Sequence, residues 1–521
     1  MIFFVNPHLI TEVGDPHTGI PIMPIMMAYA YSSAKKNNIE VQAVDCIGED
    51  PNYMRLGKNG FSAQGLHEDI VVNKPIKEPK LIAVYSRTIA SFISQQILIR
   101  KLKEKFKKSK ILVIENTQAV TSYSISSTRK LLFKEGADFV LQGDPDSEIS
   151  NVYKAIENEY NWKDIPGLWN KDFPDHEPKW NFGVKNLDDL PPPDWESIRY
   201  QGYWELRYAH APAPEPFLAV MTSRGCPYDC AFCSVPALSK RRWRYHSPEY
   251  TVNEMLSKQK KYGINDFQWE DLNPTTSNKR MDAIAELIIK NNYKFNWRTA
   301  SGTKIETMKE KTLVKIIKSG CKFLSFSPES GSPEHVRKRM TKPFNHEHAA
   351  NLAKVIVKHK VPVQACFVSG FPGETKKDKK LNENYIKRLS KIGVDEILVM
   401  IANPYPGSKL AKQYPETIEN RLPHELTQAS RQKSGSKSLI RYRNYLYFIF
   451  FLQKLIYHPT FFLKFFWNTI TRKFETKANQ VAYRIVWWNL VKLYSILRKR
   501  NLTESWNKII LNKSKDEMSN L

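Results

Sequence analysis

The segment Cys226-Pro-Tyr-Asp-Cys230-Ala-Phe-Cys233 sets three thiols within eight residues, in a C-x3-C-x2-C spacing. Three thiolates on one tight loop suit a cubane 4Fe–4S cluster, because soft sulfur ligands favour iron–sulfur centres and each can take one iron. The fourth iron is then left without a protein ligand, and an open coordination position marks a cluster that does chemistry. Gly225, just ahead of the first cysteine, lets the backbone turn closely around it. A structural zinc site wants four ligands, usually in paired C-x2-C units, and no fourth Cys or His lies nearby in sequence. The remaining cysteines, Cys46, Cys321 and Cys366, read as buried small apolar residues without a chemical role. Six cysteines in 521 residues make no disulfide framework.

A reactive loop must be carried by something, and the chain is too long for one core. Residues 1–158 alternate short apolar runs at 2–5, 41–46, 81–86, 111–116 and 139–144 with amphipathic stretches at 21–36, 91–107 and 121–135. That alternation predicts a doubly wound, Rossmann-like α/β domain with ligands beyond the carboxyl ends of its strands. Those ends carry Asn6-Pro7-His8, Ser86-Arg87-Thr88, Glu115-Asn116-Thr117-Gln118 and Gln142-Gly143-Asp144. The first run follows Met1 directly, with no Lys or Arg before Lys35, so it reads as a buried strand and not as a secretory signal. Residues 159–216, with Pro191-Pro192-Pro193, read as an ordered linker. From 217 to 415, strands are expected at 217–224, 266–271, 296–302, 323–329, 362–369 and 395–403, each followed by a helix. Ser247 and Pro248 are placed to start one of these helices as N-cap and first helical residue. Six βα units in succession predict an open partial (β/α)6 barrel of the TIM type, with chemistry at the carboxyl ends. The three cysteines follow its first strand. Glu270 and Asp271 end the second, where they could serve a ligand, accept a proton, or simply cap a helix.

With these residues in place, the chain resembles the radical S-adenosylmethionine (SAM) superfamily. The resemblance rests on TSRGCPYDCAFCS, RRWRYHSPEYTVNEM, FLSFSPESGS, ACFVSGFPGET and NPYPGSKL in that order. With the α/β domain in front, it is similar to the cobalamin-binding subfamily, over about residues 1–415. The resemblance implies that SAM binds the open iron and is cleaved reductively to a 5′-deoxyadenosyl radical. Phe232 would then lie beside the adenine, Glu329 would accept a hydrogen bond from SAM, and Gly370 and Gly373 would let the backbone approach the adenosine. A flavodoxin- or ferredoxin-like protein is the expected reductant. Other cobalamin proteins ligate cobalt through D-x-H-x-x-G. Here Asp15-Pro16-His17-Thr18-Gly19 has its glycine one residue early, so cobalamin is expected without His17 on the metal. Glu115-Asn116-Thr117-Gln118 stands where relatives usually have two glycines and a His, a departure that bears on the corrin site. The reaction expected is methylation of an unactivated carbon or phosphorus centre. A cyclisation or rearrangement in the same scaffold stays open, as does a tRNA-modifying or RNA-binding iron–sulfur protein.

The net charge of +26 admits nucleic acid or an anionic membrane as partner. Residues 416–521 read as a helical extension. Between Lys437 and Arg500 there are thirteen Lys or Arg and one acid, Glu475, and twelve aromatics lie between Tyr442 and Trp467. Methylthiotransferases carry extra N-terminal cysteines and a terminal β-barrel, so a helical aromatic tail argues against RNA. The longest uncharged run there, 444–453, is only ten residues, half of a spanning helix. Basic residues interleaved with aromatics suit a helix lying in the interface. The expectation is therefore a cytoplasmic enzyme, peripheral at the inner face of the membrane and acting on a lipid or lipid-linked substrate. Packing of the tail on the barrel is the rival.

Overall fold

The computed structural model describes residues 1–12, 19–56, 61–119, 121–414 and 437–499. They form two compact units, the first built on 1–206 and including 484–499, the second comprising 207–414 and 437–483.

In the first unit, six strands make one sheet: β1 (Ile2–Asn6), β2 (Val41–Asp45), β3 (Leu81–Ser86), β4 (Lys110–Glu115), β5 (Phe139–Leu141) and β6 (Leu168–Asn170). Their order is β2-β1-β3-β4-β5-β6, parallel except for the final β5–β6 pair. β1 and β3 are buried along their whole length, which is why both read as unbroken apolar runs and not as alternating ones. The helices α1 (Ile25–Lys36), α2 (Phe92–Lys105), α3 (Ile125–Lys134) and α4 (Pro145–Ile156) lie between them in sequence. α4 takes Pro145 in its first turn, where the missing N–H costs nothing. The stretch 159–216 is not the linker its prolines suggest. β6 closes the sheet antiparallel to β5, Trp195 is fully buried, and the unit continues through Leu206. A small antiparallel sheet of Leu9–Glu12, Met54–Leu56 and Phe61–Gln64 was also invisible in the sequence pattern.

The second unit is the open barrel. Strands β7 (Phe217–Val220), β8 (Asp266–Trp269), β9 (Asn296–Thr299), β10 (Cys321–Glu329), β11 (Val363–Ser369) and β12 (Glu396–Ile401) pair in sequence order, all parallel. Helices α5 (Pro248–Tyr262), α6 (Asn278–Lys290), α7 (Glu310–Lys318), α8 (His346–Lys358) and α9 (Lys376–Ile392) alternate with the strands. α5 begins as read, with the Ser247 hydroxyl accepting from the Tyr250 N–H and Pro248 in the first turn. The first strand is shorter than 217–224. It stops at Val220, and Ser223–Gly225 instead pairs antiparallel with Trp243–Tyr245.

The tail forms α10 (Lys437–Tyr457), α11 (Thr460–Ile470) and α12 (Lys477–Leu497). α10 is not separate from the barrel. Arg443, Leu446, Ile449, Phe450 and Lys454 form its buried face, the Ser390 hydroxyl donates to Phe450 O, and the Tyr447 hydroxyl accepts from the Val399 N–H. No single described helix is long and apolar enough to cross a membrane.

Candidate functional site

The cysteine loop is held from below by Asp271, the residue after Glu270 at the end of β8. Its carboxylate accepts the Thr222 N–H (3.0 Å), the Thr222 hydroxyl (2.8 Å) and the Ser223 hydroxyl (2.5 Å). Asp271 is thus neither a helix cap nor a solvated acid, but a brace for the turn that leads into Cys226. Arg280 adds a bond from Nη2 to Thr222 O. Gly225 sits at φ +78, and a Cβ there would come within 2.1 Å of Arg242 O, so only glycine fits. Further along, the Ala231 N–H donates to Met340 O and Ala231 O accepts from Leu410 N. The Thr341 hydroxyl donates to Asp229 O, and Lys409 pairs with the Asp229 carboxylate at 2.6 Å. The loop between the cysteines is therefore anchored at Asp229 and Ala231. Phe232 is half-buried against an apolar cluster that includes Val336, Met340, Phe371 and Leu410.

All six cysteines are free. Burial raises the thiol pKa of Cys226, Cys230 and Cys233, that of Cys230 to about 11, and Lys342 works against burial at the first two. Half-buried thiols of this kind become thiolate ligands when a metal supplies the compensating charge. Among the described residues no group of three or more His, Cys, Asp or Glu is set to hold a single metal ion. Three cysteine thiols on one loop match the three protein ligands of a 4Fe–4S cluster with an open iron, whereas a structural zinc site wants a fourth ligand.

Glu329 ends β10 at φ +63, a strained conformation for a non-glycine residue. It is buried and accepts from Lys342 Nζ at 2.5 Å, while Lys342 also donates to Ser327 O. Burial opposes charge on Lys342, but Glu329 and then Cys230 outweigh it and hold the ammonium charged. The sequence singled out Glu329 and missed this partner, which places a cation between the acid and the cysteines. Gly370 and Gly373 have positive φ but close neighbours. A Cβ on Gly370 would meet Leu439 of α10 at 2.8 Å, and one on Gly373 would meet Arg339 at 3.2 Å. The positive φ, +75 and +82, explains both glycines, and what lies nearest each in this structure is the end of a protein side chain.

Other polar groups inside the barrel were not read from sequence. His210 Nδ1 lies 2.6 Å from the Glu270 carboxylate, both buried. Lys477, in the first turn of α12, donates from Nζ to Ala300 O (2.9 Å), and its ammonium feels Cys366, Glu396 and Glu270. Glu396 accepts the N–H groups of Lys477 and Ala478 and the Gln364 amide. The tail thus inserts a lysine among residues of four barrel strands.

In the first unit, the carboxyl ends of the strands hold a second polar set. The Glu115 carboxylate accepts the Ile125 and Gly143 N–H groups, Asn116 donates to Arg87 O, and the Thr117 hydroxyl donates to Asp144. Burial pushes the Glu115 carboxyl up to about 8, so near neutrality it is largely protonated. These bulky residues, which replace the glycines expected of a corrin site, are consumed in structural bonds. The same edge nevertheless exposes a deficit. Arg87 is fully buried and its Nε, Nη1 and Nη2 have no partner, nor have His8 Nδ1 and Gln95 Nε2. Buried unsatisfied donors are rare in finished structures. Donors at the carboxyl edge of a doubly wound sheet fit a ligand rich in carbonyl and phosphate oxygens, as cobalamin is. His17 lies outside the described residues.

Residues 220–384 match the radical SAM superfamily. Among curated proteins the chain is similar to an uncharacterised methyltransferase of Pyrococcus horikoshii, 25% identical over 391 residues, covering 74% of this chain and 77% of the relative. It is also similar to the cytidylyl-2-hydroxyethylphosphonate methyltransferase of Streptomyces wedmorensis, 27% identical over 44% of this chain and 43% of that one. The fold is similar to that of TsrM, a radical SAM methyltransferase from Kitasatospora setae solved with cobalamin and a [4Fe-4S] cluster. There the TM-score is 0.60 at 14% identity, over 80% of this chain and 78% of that one. The cobalamin-dependent SAM radical enzyme OxsB follows, with a TM-score of 0.57 at 17% identity over 81% and 56%.

Proposed function

Since this chain belongs to the radical SAM superfamily through residues 220–384, we propose that it is a cobalamin-dependent methyltransferase acting on an unactivated carbon or phosphorus centre. What carries the reading is the presence, in one chain, of the braced Cys226/Cys230/Cys233 loop and of an α/β unit whose strand ends hold Arg87, fully buried without a hydrogen-bond partner. Cys226, Cys230 and Cys233 would hold a 4Fe–4S cluster, which would supply an electron for SAM cleavage, and the first unit would hold a corrin, which would supply a methyl-carrying metal.

The protein's own part is placement. Asp271 and Arg280 hold the entry to the cysteine loop, and Lys409 and Thr341 hold its centre. Lys342 sets a positive charge beside Cys230, which offsets the negative charge a thiolate-bound cluster brings. Electrons come from a separate reductant, a flavodoxin- or ferredoxin-like protein. Methyl transfer draws support from the similarity to a methyltransferase named for a phosphonate substrate and to the bacteriochlorophyllide methyltransferase of Chlorobaculum tepidum, 22% identical over 46% of this chain.

Anaerobic reconstitution tests the reading. Wild type should take up about four irons per chain and, once reduced, convert SAM to 5′-deoxyadenosine. Cys230→Ala should lose both. Full iron and SAM cleavage in that variant would overturn the assignment.

A further inference from the structure

The tail divides its apolar residues between two tasks. On α10, Arg443, Leu446, Ile449, Phe450 and Lys454 face the barrel, while Tyr445, Phe448, Leu452, Leu455 and Ile456 stand exposed at the spacing of the opposite helical face. On α11, Leu463 (74% exposed), Phe466 (59%), Trp467 (66%) and Ile470 (76%) fall at i, i+3, i+4 and i+7, one continuous stripe in water. Isolated exposed apolar residues need no explanation, but a stripe this dense does. α10 and α11 meet at a 115° bend at Pro459, so they form an elbow, not a rod.

We propose that this elbow lies flat in the headgroup region of an anionic lipid bilayer. Charge selects that occupant. Between 437 and 483 there are eight Lys or Arg and one acid, Glu475, which is paired with Lys464 at 2.6 Å. Lys437, Arg441, Lys464 and Lys473 are exposed. Arg443 and Lys454 are buried and are unavailable to headgroups, so fewer cations can engage than the sequence count offered. A protein partner with an apolar groove would satisfy the stripe but gives no reason for so one-sided a surround. Tyr445, Tyr457 and Trp467 on the exposed faces are the residue types that favour the water–lipid boundary. A spanning arrangement is excluded by the packing. Crossing the bilayer would tear α10 from β12 and α9, breaking the bonds of Tyr447 to Val399 and of Ser390 to Phe450. On the methyltransferase reading, on which this part rests, the substrate class is then a lipid or a lipid-linked molecule taken from the surface.

Flotation on vesicles tests the surface without reference to catalysis. Full-length protein should float with vesicles containing phosphatidylglycerol, stay down with pure phosphatidylcholine, and be released by high salt. The variant Leu463→Gln/Phe466→Gln/Trp467→Gln should float at least tenfold less. Its reconstituted cluster and SAM cleavage should be unchanged, because no atom of the stripe serves the barrel. A second variant, Phe448→Gln/Leu452→Gln, repeats the test on the other arm. Absence of flotation by wild type, or equal flotation by both variants, overturns the proposal. So does self-association of wild type that the same substitutions abolish, since the stripe would then cover a second copy. Loss of SAM cleavage in wild type would instead sink the enzymatic reading and leave the surface standing.

Discussion

A guanidinium offers five N–H donors and keeps its charge at any accessible pH, so Arg87, fully buried without a hydrogen-bond partner and met only by the electrostatic pull of Asp45, is costly unless something fills its surroundings. An unsatisfied buried donor costs about 1–3 kcal/mol, more when charged. Arg87→Met should therefore stabilise the ligand-free first unit by about 1–3 kcal/mol in denaturant melts. It should also weaken cobalamin uptake, read by equilibrium dialysis and the visible corrin spectrum, by roughly tenfold or more, one lost charge-assisted contact being worth about 1.5–3 kcal/mol. A purely structural arginine would lose stability on substitution and leave corrin uptake alone, so opposite signs in the two measurements separate the roles. The type and position of Arg87 could be read in the sequence at a strand end. Its lack of a hydrogen-bond partner could not, because that depends on where the neighbouring side chains settle, Asn116 on the Arg87 carbonyl and Gln95 Oε1 on the Tyr123 hydroxyl.

At the scale of elements, the junction of α12 with the barrel depends on Glu396. Burial pushes its carboxyl up to about 7, against the pull of the Ala478 and Lys477 N–H groups it accepts. The folded protein therefore holds a proton that an unfolded chain, with an ordinary carboxyl near 4.5, has released between those two pH values. Stability should fall as pH rises from about 4.5 to 7 and level off above, by at most about 3 kcal/mol. Glu396→Gln should abolish that slope, so that denaturant midpoints measured at pH 5 and 8 converge in the variant. A variant that keeps the parent's slope would assign it to another group. This junction also marks the limit of reading elements from sequence. Most parallel strands were legible as short, largely apolar runs, while β8 (DFQW) and β9 (NWRT) were placed by their spacing between helical stretches. β6 was not, being three residues amid prolines, and neither was the packing of α10. Its two apolar faces look alike in sequence, and only the positions of β12 and α9 decide which is covered. The cysteine loop was fully legible in ligand type and spacing. Asp271 was legible as a residue but not as its brace, since Thr222 and Ser223 lie nearly fifty residues upstream.

On the scale of the whole molecule, each unit owns one six-stranded sheet, and among the described residues no strand is shared between the two. The proposed ligands are likewise divided, corrin to the first unit and iron–sulfur to the second. A ligand that binds only the folded form stabilises by RT ln(1 + [L]/Kd), about 2.7 kcal/mol at a hundredfold excess over Kd. In units of about two hundred residues that shifts a melting transition by on the order of 5–10 °C. Calorimetry should accordingly resolve two transitions. Cobalamin should raise one and leave the other in place, while removal of the cluster by chelator, or Cys230→Ala, should lower the second alone. Assignment follows from Arg87→Met, which should blunt the cobalamin shift without touching the iron-dependent transition. If either ligand moved both transitions together, the units would be melting as one cooperative body, and the separation of the two cores would not extend to their energetics.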